Sequence, residues 1–138
     1  MNRLISYGYI ESGEKGTEKT IQKILDKIYE GTKDPVIILK AREIVRDSGA
    51  QDAFERAKAI FKWIKRNIAY IKDPKGLELL RPARRILESR IGDCDEHTIL
   101  AASLFRAAGL PVALKVISTF KNPDEYTHIY PLVKTNSL

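Results

Sequence analysis

The chain has 138 residues, 43% of them hydrophobic and 30% charged, with 24 Lys and Arg against 18 Asp and Glu for a formal net charge of +6. That length suits one domain, the composition is that of a folded globular protein and not of a disordered one, and the longest nearly uninterrupted apolar stretch, Ile99 to Phe105 with Ser103 inside it, falls far short of the roughly 20 residues needed to span a bilayer. The basic excess lies mainly in residues 1–75, where 16 basic side chains are interleaved with 11 acidic ones; this is the pattern of solvated helix surface, and it leaves at most weak, salt-sensitive attraction to nucleic acid.

The first residues, Met1 to Gly8, lack the sustained apolar run of a secretory signal, so a cytoplasmic protein is expected. Residues 1–16 read as an extended polar arm punctuated by Gly8, Gly13 and Gly16, and Thr17 is placed to cap a first helix. Residues 17–91 form the helical part. Ile21, Ile24, Leu25, Ile28 and Tyr29 recur at helical spacing, with Gly31 positioned as a stop. Asp34 and Pro35 mark the start of a second helix that ends before Gly49; its broad apolar content from Val36 to Val45 predicts packing on two sides. Asp52 and Glu55 read as a capping pair for a third helix, with Phe54, Ala57, Phe61, Ile64 and Ile68 on one buried face. Ile68 to Ile71 is extended, Lys72 to Gly76 a turn, and Pro82 to Arg90 a short helix. Trp63 reads as a packing residue, and Arg81, Arg84, Arg85 and Arg90 as exposed helix surface, with a role in holding an acidic substrate as the rival.

Residues 92–138 carry the chemistry. Asp93 can cap a helix whose apolar positions are Ile99, Leu100, Ala101, Leu104, Phe105 and Ala108, closed by Gly109. Cys94 then falls in its first turn. There the helix end stabilises a thiolate, and unpaired backbone N–H groups can hold an oxyanion. Asp95 and Glu96 oppose the thiolate by like charge. A lone cysteine is most often a small buried hydrophobe, but Gly92, Asp93, Asp95 and Glu96 around Cys94 are not a core face. Val112 to Ser118 and Thr127 to Lys134 alternate like strands on either side of a turn at Lys121 to Asp124, which places His128 on the second strand; if that hairpin packs against the helix, His128 reaches the thiol from a separate element. His97, three residues after Cys94 on the same helix face, is an accessory candidate, as is Asp93. Cys94, His97 and His128 also suit zinc, which stands as an alternative; otherwise no metal or cofactor is expected.

These residues resemble the transglutaminase-like cysteine enzymes, which share the papain-like arrangement of nucleophile helix and sheet. The resemblance runs from about Phe54 to Lys134, with Gly92-Asp93-Cys94-Asp95-Glu96-His97, Leu100 to Val112, and Thr127-His128-Ile129-Tyr130 as its core. Trp63-Ile64 and Ile68-Ala69-Tyr70 also look like members found in bacteriophage and prophage sequences. The resemblance implies an α+β fold in which amino-terminal helices precede a nucleophile helix packed on a small antiparallel sheet, all within one domain over residues 1–138. It implies Cys94 as nucleophile, His128 as general base and then acid, and a peptide or protein amide as substrate. The family's third group, an aspartate on the strand after the histidine, has no match, because Leu138 follows His128 by ten residues and no acid lies beyond Glu125. Asn136 sits too early to replace it. The expectation is a domain truncated at its carboxy terminus or a degenerate site, and a non-enzymatic phage assembly module is the rival to acyl transfer or amide hydrolysis.

Overall fold

The amino-terminal arm is engaged in the computed structural model, which describes residues 5–7, 15–72, 80–118 and 126–135. Strand β1 (Ile5–Tyr7) pairs parallel to β4 (Val112–Ser118), setting Ile5 opposite Ala113 and Tyr7 opposite Lys115. Nothing local in the arm encodes this contact, since its partner lies at the far end of the chain. Strand β5 (Tyr126–Val133) pairs antiparallel on the other side of β4. The sheet order is therefore β1-β4-β5, and the sheet is mixed instead of purely antiparallel.

Helix α1 (Lys15–Lys33) begins before Thr17, which lies inside it and is not its cap. Gly31 does not end it either. A Cβ on Gly31 would clash with Ser103 Oγ and come within 2.9 Å of Ala83 Cβ, so the missing side chain is what lets the helices approach. Helix α2 (Pro35–Ser48) has the expected boundaries: Asp34 Oδ1 accepts the Val36 N–H at 2.9 Å, and Gly49 closes the helix in the left-handed region at φ 71°. Its buried face is narrower than expected. Ile37, Ala41 and Ile44 are inside, while Leu39 remains 63% exposed.

Helix α3 (Ala53–Asn67) starts as its sequence predicts, with Asp52 Oδ1 accepting the Glu55 N–H at 2.8 Å. Ile60, Ile64 and the terminal Ile68 are buried, but Phe54 and Phe61 are 59% and 60% exposed. Helical periodicity identifies a common face correctly; it cannot say whether another element covers that face. Strand β2 (Ala69–Tyr70) pairs parallel with β3 (Ile91–Gly92), through an Ala69 N–H bond to the Arg90 carbonyl at 2.8 Å and an Ile71 N–H bond to Gly92 at 3.0 Å. Helix α4 (Ala83–Ser89) lies between these strands in sequence and ends on Arg90, which adopts φ 63° without being glycine.

Helix α5 (Cys94–Ala107) is the centre of the molecule. Beyond its first turn it is buried on nearly every side, from Thr98 through Phe105, against the helices on one flank and the sheet on the other. Enclosure of this kind holds the amino-terminal end of α5 in one place relative to β5. Among the described residues, no helix is long and apolar enough to cross a membrane. Gly8, Gly13, the turn positions 73–76 and 121–124, and Asn136 lie outside the described residues.

Candidate active site

The start of α5 is fixed twice. Asp93 Oδ1 accepts the Glu96 N–H at 2.9 Å, and Glu96 Oε1 reaches back to the Asp93 N–H at 3.4 Å, a capping box that satisfies two donors left over by the helix. Cys94 follows at the first helical position, half-buried. Its Sγ donates to Asp95 Oδ1 at 3.6 Å. The helix end does not make this thiol acidic: burial first, then the charges of Asp95 and Asp93, push it up from 9.0 to about 12, against a smaller pull from the Asp95 backbone N–H. The sequence sets the helix end against the like charge of neighbouring acids; in the structure burial and the carboxylates of Asp95 and Asp93 push the thiol toward its neutral form.

Cys94, His97 and His128 line one cleft of about 1170 Å³ between α3, the start of α5 and β5. His97 Nε2 donates to the Ala69 carbonyl at 3.3 Å and its ring stands 6.0 Å from that of Tyr70, so it ties α5 to β2 and does not bond the thiol. His128 is exposed at the cleft, with its ring 5.4 Å from that of Tyr130. Its strand is irregular at this point. Ile117 pairs with His128 but Ser118 pairs with Tyr126, leaving Thr127 as the extra residue of a β-bulge immediately before the histidine. Bulges bend a strand and re-aim the next side chain.

Thr98, one turn after Cys94, was not signalled by any motif. Its Oγ1 donates to the Ile129 carbonyl at 3.0 Å in a buried bond that joins the cysteine helix to the histidine strand. Of the four arginines before the site, Arg84, Arg85 and Arg90 are exposed, as expected of helix surface, while Arg81 is part-buried in a network the sequence did not suggest. Arg81 binds the buried Glu96 through Nε at 2.6 Å and Nη2 at 3.1 Å, and donates to Ser89 Oγ and the Ile91 carbonyl. Arg84 grips Asp34 at 2.7 and 2.9 Å and holds that carboxyl below its usual range. Arg85 pairs loosely with Glu88, and Arg90 lies 4.9 Å from the ring of Trp63, which packs against the core. Sequence spacing could not pair Arg81 with Glu96, because the intervening segment must first fold back.

Among the described residues, no three His, Cys, Asp or Glu side chains converge closely enough to hold a metal ion, so the zinc reading of Cys94, His97 and His128 has no ligand cluster behind it. Asp93 is a cap and does not line the cleft.

A family model described as the transglutaminase-like superfamily matches residues 40–137. A solved structure of a candidate protease from Parabacteroides distasonis is similar with a TM-score of 0.70 and 15% identity, over 86% of this chain and 25% of that one. A candidate cysteine protease from Cytophaga hutchinsonii is similar with a TM-score of 0.54 and 23% identity, over 69% of this chain and 32% of that one. This chain thus spans between a quarter and a third of the solved structures it matches, and at these identities the likeness is one of fold. No curated protein matches it.

Proposed function

This chain belongs to the transglutaminase-like superfamily, and we propose that it hydrolyses a peptide-like amide with Cys94 as nucleophile and His128 as general base. The observation that carries this reading is the convergence of Cys94 and His128 on one cleft from two separate elements, the first turn of α5 and the bulged start of β5. His128 takes the Sγ proton as sulfur attacks the carbonyl carbon, and backbone N–H groups at the start of α5 hold the oxyanion. The amine then leaves with the proton from His128. Water attacks the thioester with the same imidazole as base, releasing the acid and restoring the thiol.

In this mechanism the Sγ proton passes to His128 in the substrate complex, since Cys94 Sγ donates to Asp95 and to neither histidine, and burial with the neighbouring carboxylates pushes the thiol up. Asp93 serves by fixing the helix start, and His97 by holding β2 at the cleft edge. Water as acceptor gives proteolysis or glutamine deamidation, whereas an amine would give crosslinking; hydrolysis is favoured because water needs no dedicated binding site.

The test is mass spectrometry of an unfolded protein mixture incubated with the native chain, scored for cleaved backbone, deamidated glutamine and new crosslinks. Products that vanish in both Cys94→Ala and His128→Ala support the reading. The pairing of Cys94 Sγ with Asp95, and with neither histidine, favours a second reading, a non-enzymatic interaction module that keeps the fold. Absence of all three products, together with unchanged ligand binding in Cys94→Ala, would select it.

A further inference from the structure

The cleft has walls that thiol chemistry does not require. Helix α3 presents Phe54 and Phe61 to it, more than half exposed, and Tyr70 of β2 is 61% exposed at its edge. Exposed aromatic side chains gathered in one cleft mark a place where something apolar docks. On the same helix face stand Lys58, Lys62 and Lys65, all exposed and all lining the cleft. Two helical lysines are paired with acids, Lys27 with Glu30 and Lys40 with Glu43. Among the described residues no ion pair forms at Lys58, Lys62 or Lys65, although Glu55 lies one turn before Lys58.

We infer that the cleft takes an extended peptide in which bulky apolar side chains alternate with Asp or Glu, the apolar groups resting on Phe54 and Phe61 and the acids meeting the α3 lysines. The inference rests on the amide-hydrolase reading for why a peptide should lie there. Spacing supports it. Lys58 to Lys65 covers about 10 Å of helix at roughly 1.5 Å per residue, the length of about three residues of extended peptide at roughly 3.3 Å each. At about 100° per residue Phe54 and Phe61 form one stripe of that face and Lys58, Lys62 and Lys65 the stripe beside it, so a peptide lying along α3 sends alternate side chains to either flank, apolar groups toward the aromatics and acids toward the lysines. Polarity follows as well: Asp93 and Asp95 flank Cys94, so the peptide's acids belong toward α3 and away from the reacting carbonyl.

The experiment uses Cys94→Ala protein and fluorescence anisotropy with a short labelled peptide alternating Glu and Leu, against a Lys-and-Leu counterpart and a single-stranded oligonucleotide. The acidic peptide should bind at least about tenfold more tightly than the basic one, and Lys58→Glu with Lys62→Glu should remove about tenfold, as expected for two exposed charge pairs turned repulsive. Phe61→Ser should weaken binding separately, and all these positions are exposed enough for the variants to fold. Equal binding of the two peptides, tighter binding of the oligonucleotide, or indifference to the lysine reversals would overturn the inference. Failure here is separable from failure of the hydrolase reading: wild-type cleavage with no charge preference removes only the docking assignment, while charge-selective binding without turnover removes only the chemistry.

Discussion

Replacing Asp95 with Asn, and following alkylation of Cys94 against pH, tests the site at its most quantitative point. A thiol moved from 9.0 to about 12 has about a thousandfold less thiolate near pH 8 than an unperturbed one, because each pH unit below the pKa costs a factor of about ten. Only the thiolate reacts with iodoacetamide. The native chain should therefore label a hundred- to a thousandfold more slowly than the same chain in denaturant at pH 8, on the order set by that shift, and its rate should still be climbing tenfold per unit above pH 10. Asp95→Asn removes the second-largest cause and the Sγ partner at 3.6 Å, so it should raise the native rate several-fold without reaching the denatured one, since burial remains. The sign of the linked stability is equally definite. The folded thiol holds its proton more tightly than the unfolded one, so its stabilising contribution is complete below pH 9 and lost as the pH rises toward 12. Fast labelling at pH 6 that disappears in His128→Ala would refute the reasoning, because it would reveal a thiolate–imidazolium pair already formed in the free protein.

Three further outcomes follow from the packing around the site. Thr98→Val keeps the shape but strands the Ile129 carbonyl, which should cost about 1–3 kcal/mol in urea unfolding, with Thr98→Ser restoring most of it; a valine variant as stable as wild type would show the bond to be idle. Arg81→Ala leaves the Glu96 carboxylate, whose side chain is 4% exposed, without its ion partner. A loss of about 3–5 kcal/mol is expected from such an uncompensated buried charge, and Arg81→Ala combined with Glu96→Gln should recover part of it. Gly31→Ala forces a methyl against Ser103 and Ala83 and should lower stability by about 1–3 kcal/mol, read as a fall in denaturation midpoint with an unchanged slope.

Where a boundary is made by neighbouring residues, it was legible without the fold. Asp34, Pro35 and Gly49 delimit α2, Asp93 with Glu96 starts α5, and the alternation from Val112 to Ser118 coincides with β4. Each of these rests on backbone donors and acceptors that must be satisfied within a few residues. The same locality made Cys94 and His128 visible as candidates, since a helix start and a strand are readable positions.

Tertiary structure decided everything that depends on which surfaces meet. Only the fold could bring β1 beside β4, pair Arg81 with Glu96, or turn Gly31 from a helix stop into a point of contact with Ser103. Phe54 and Phe61 share the face that helical spacing assigns them, yet they line an open cleft because no described element covers that side of α3. The charge of Cys94 shows the division most sharply. Its position at a helix start is a local property and favours a thiolate; its actual state depends on how much water the surrounding chain removes and where Asp93 and Asp95 are held, and desolvation acts through three-dimensional enclosure that a linear sequence does not display.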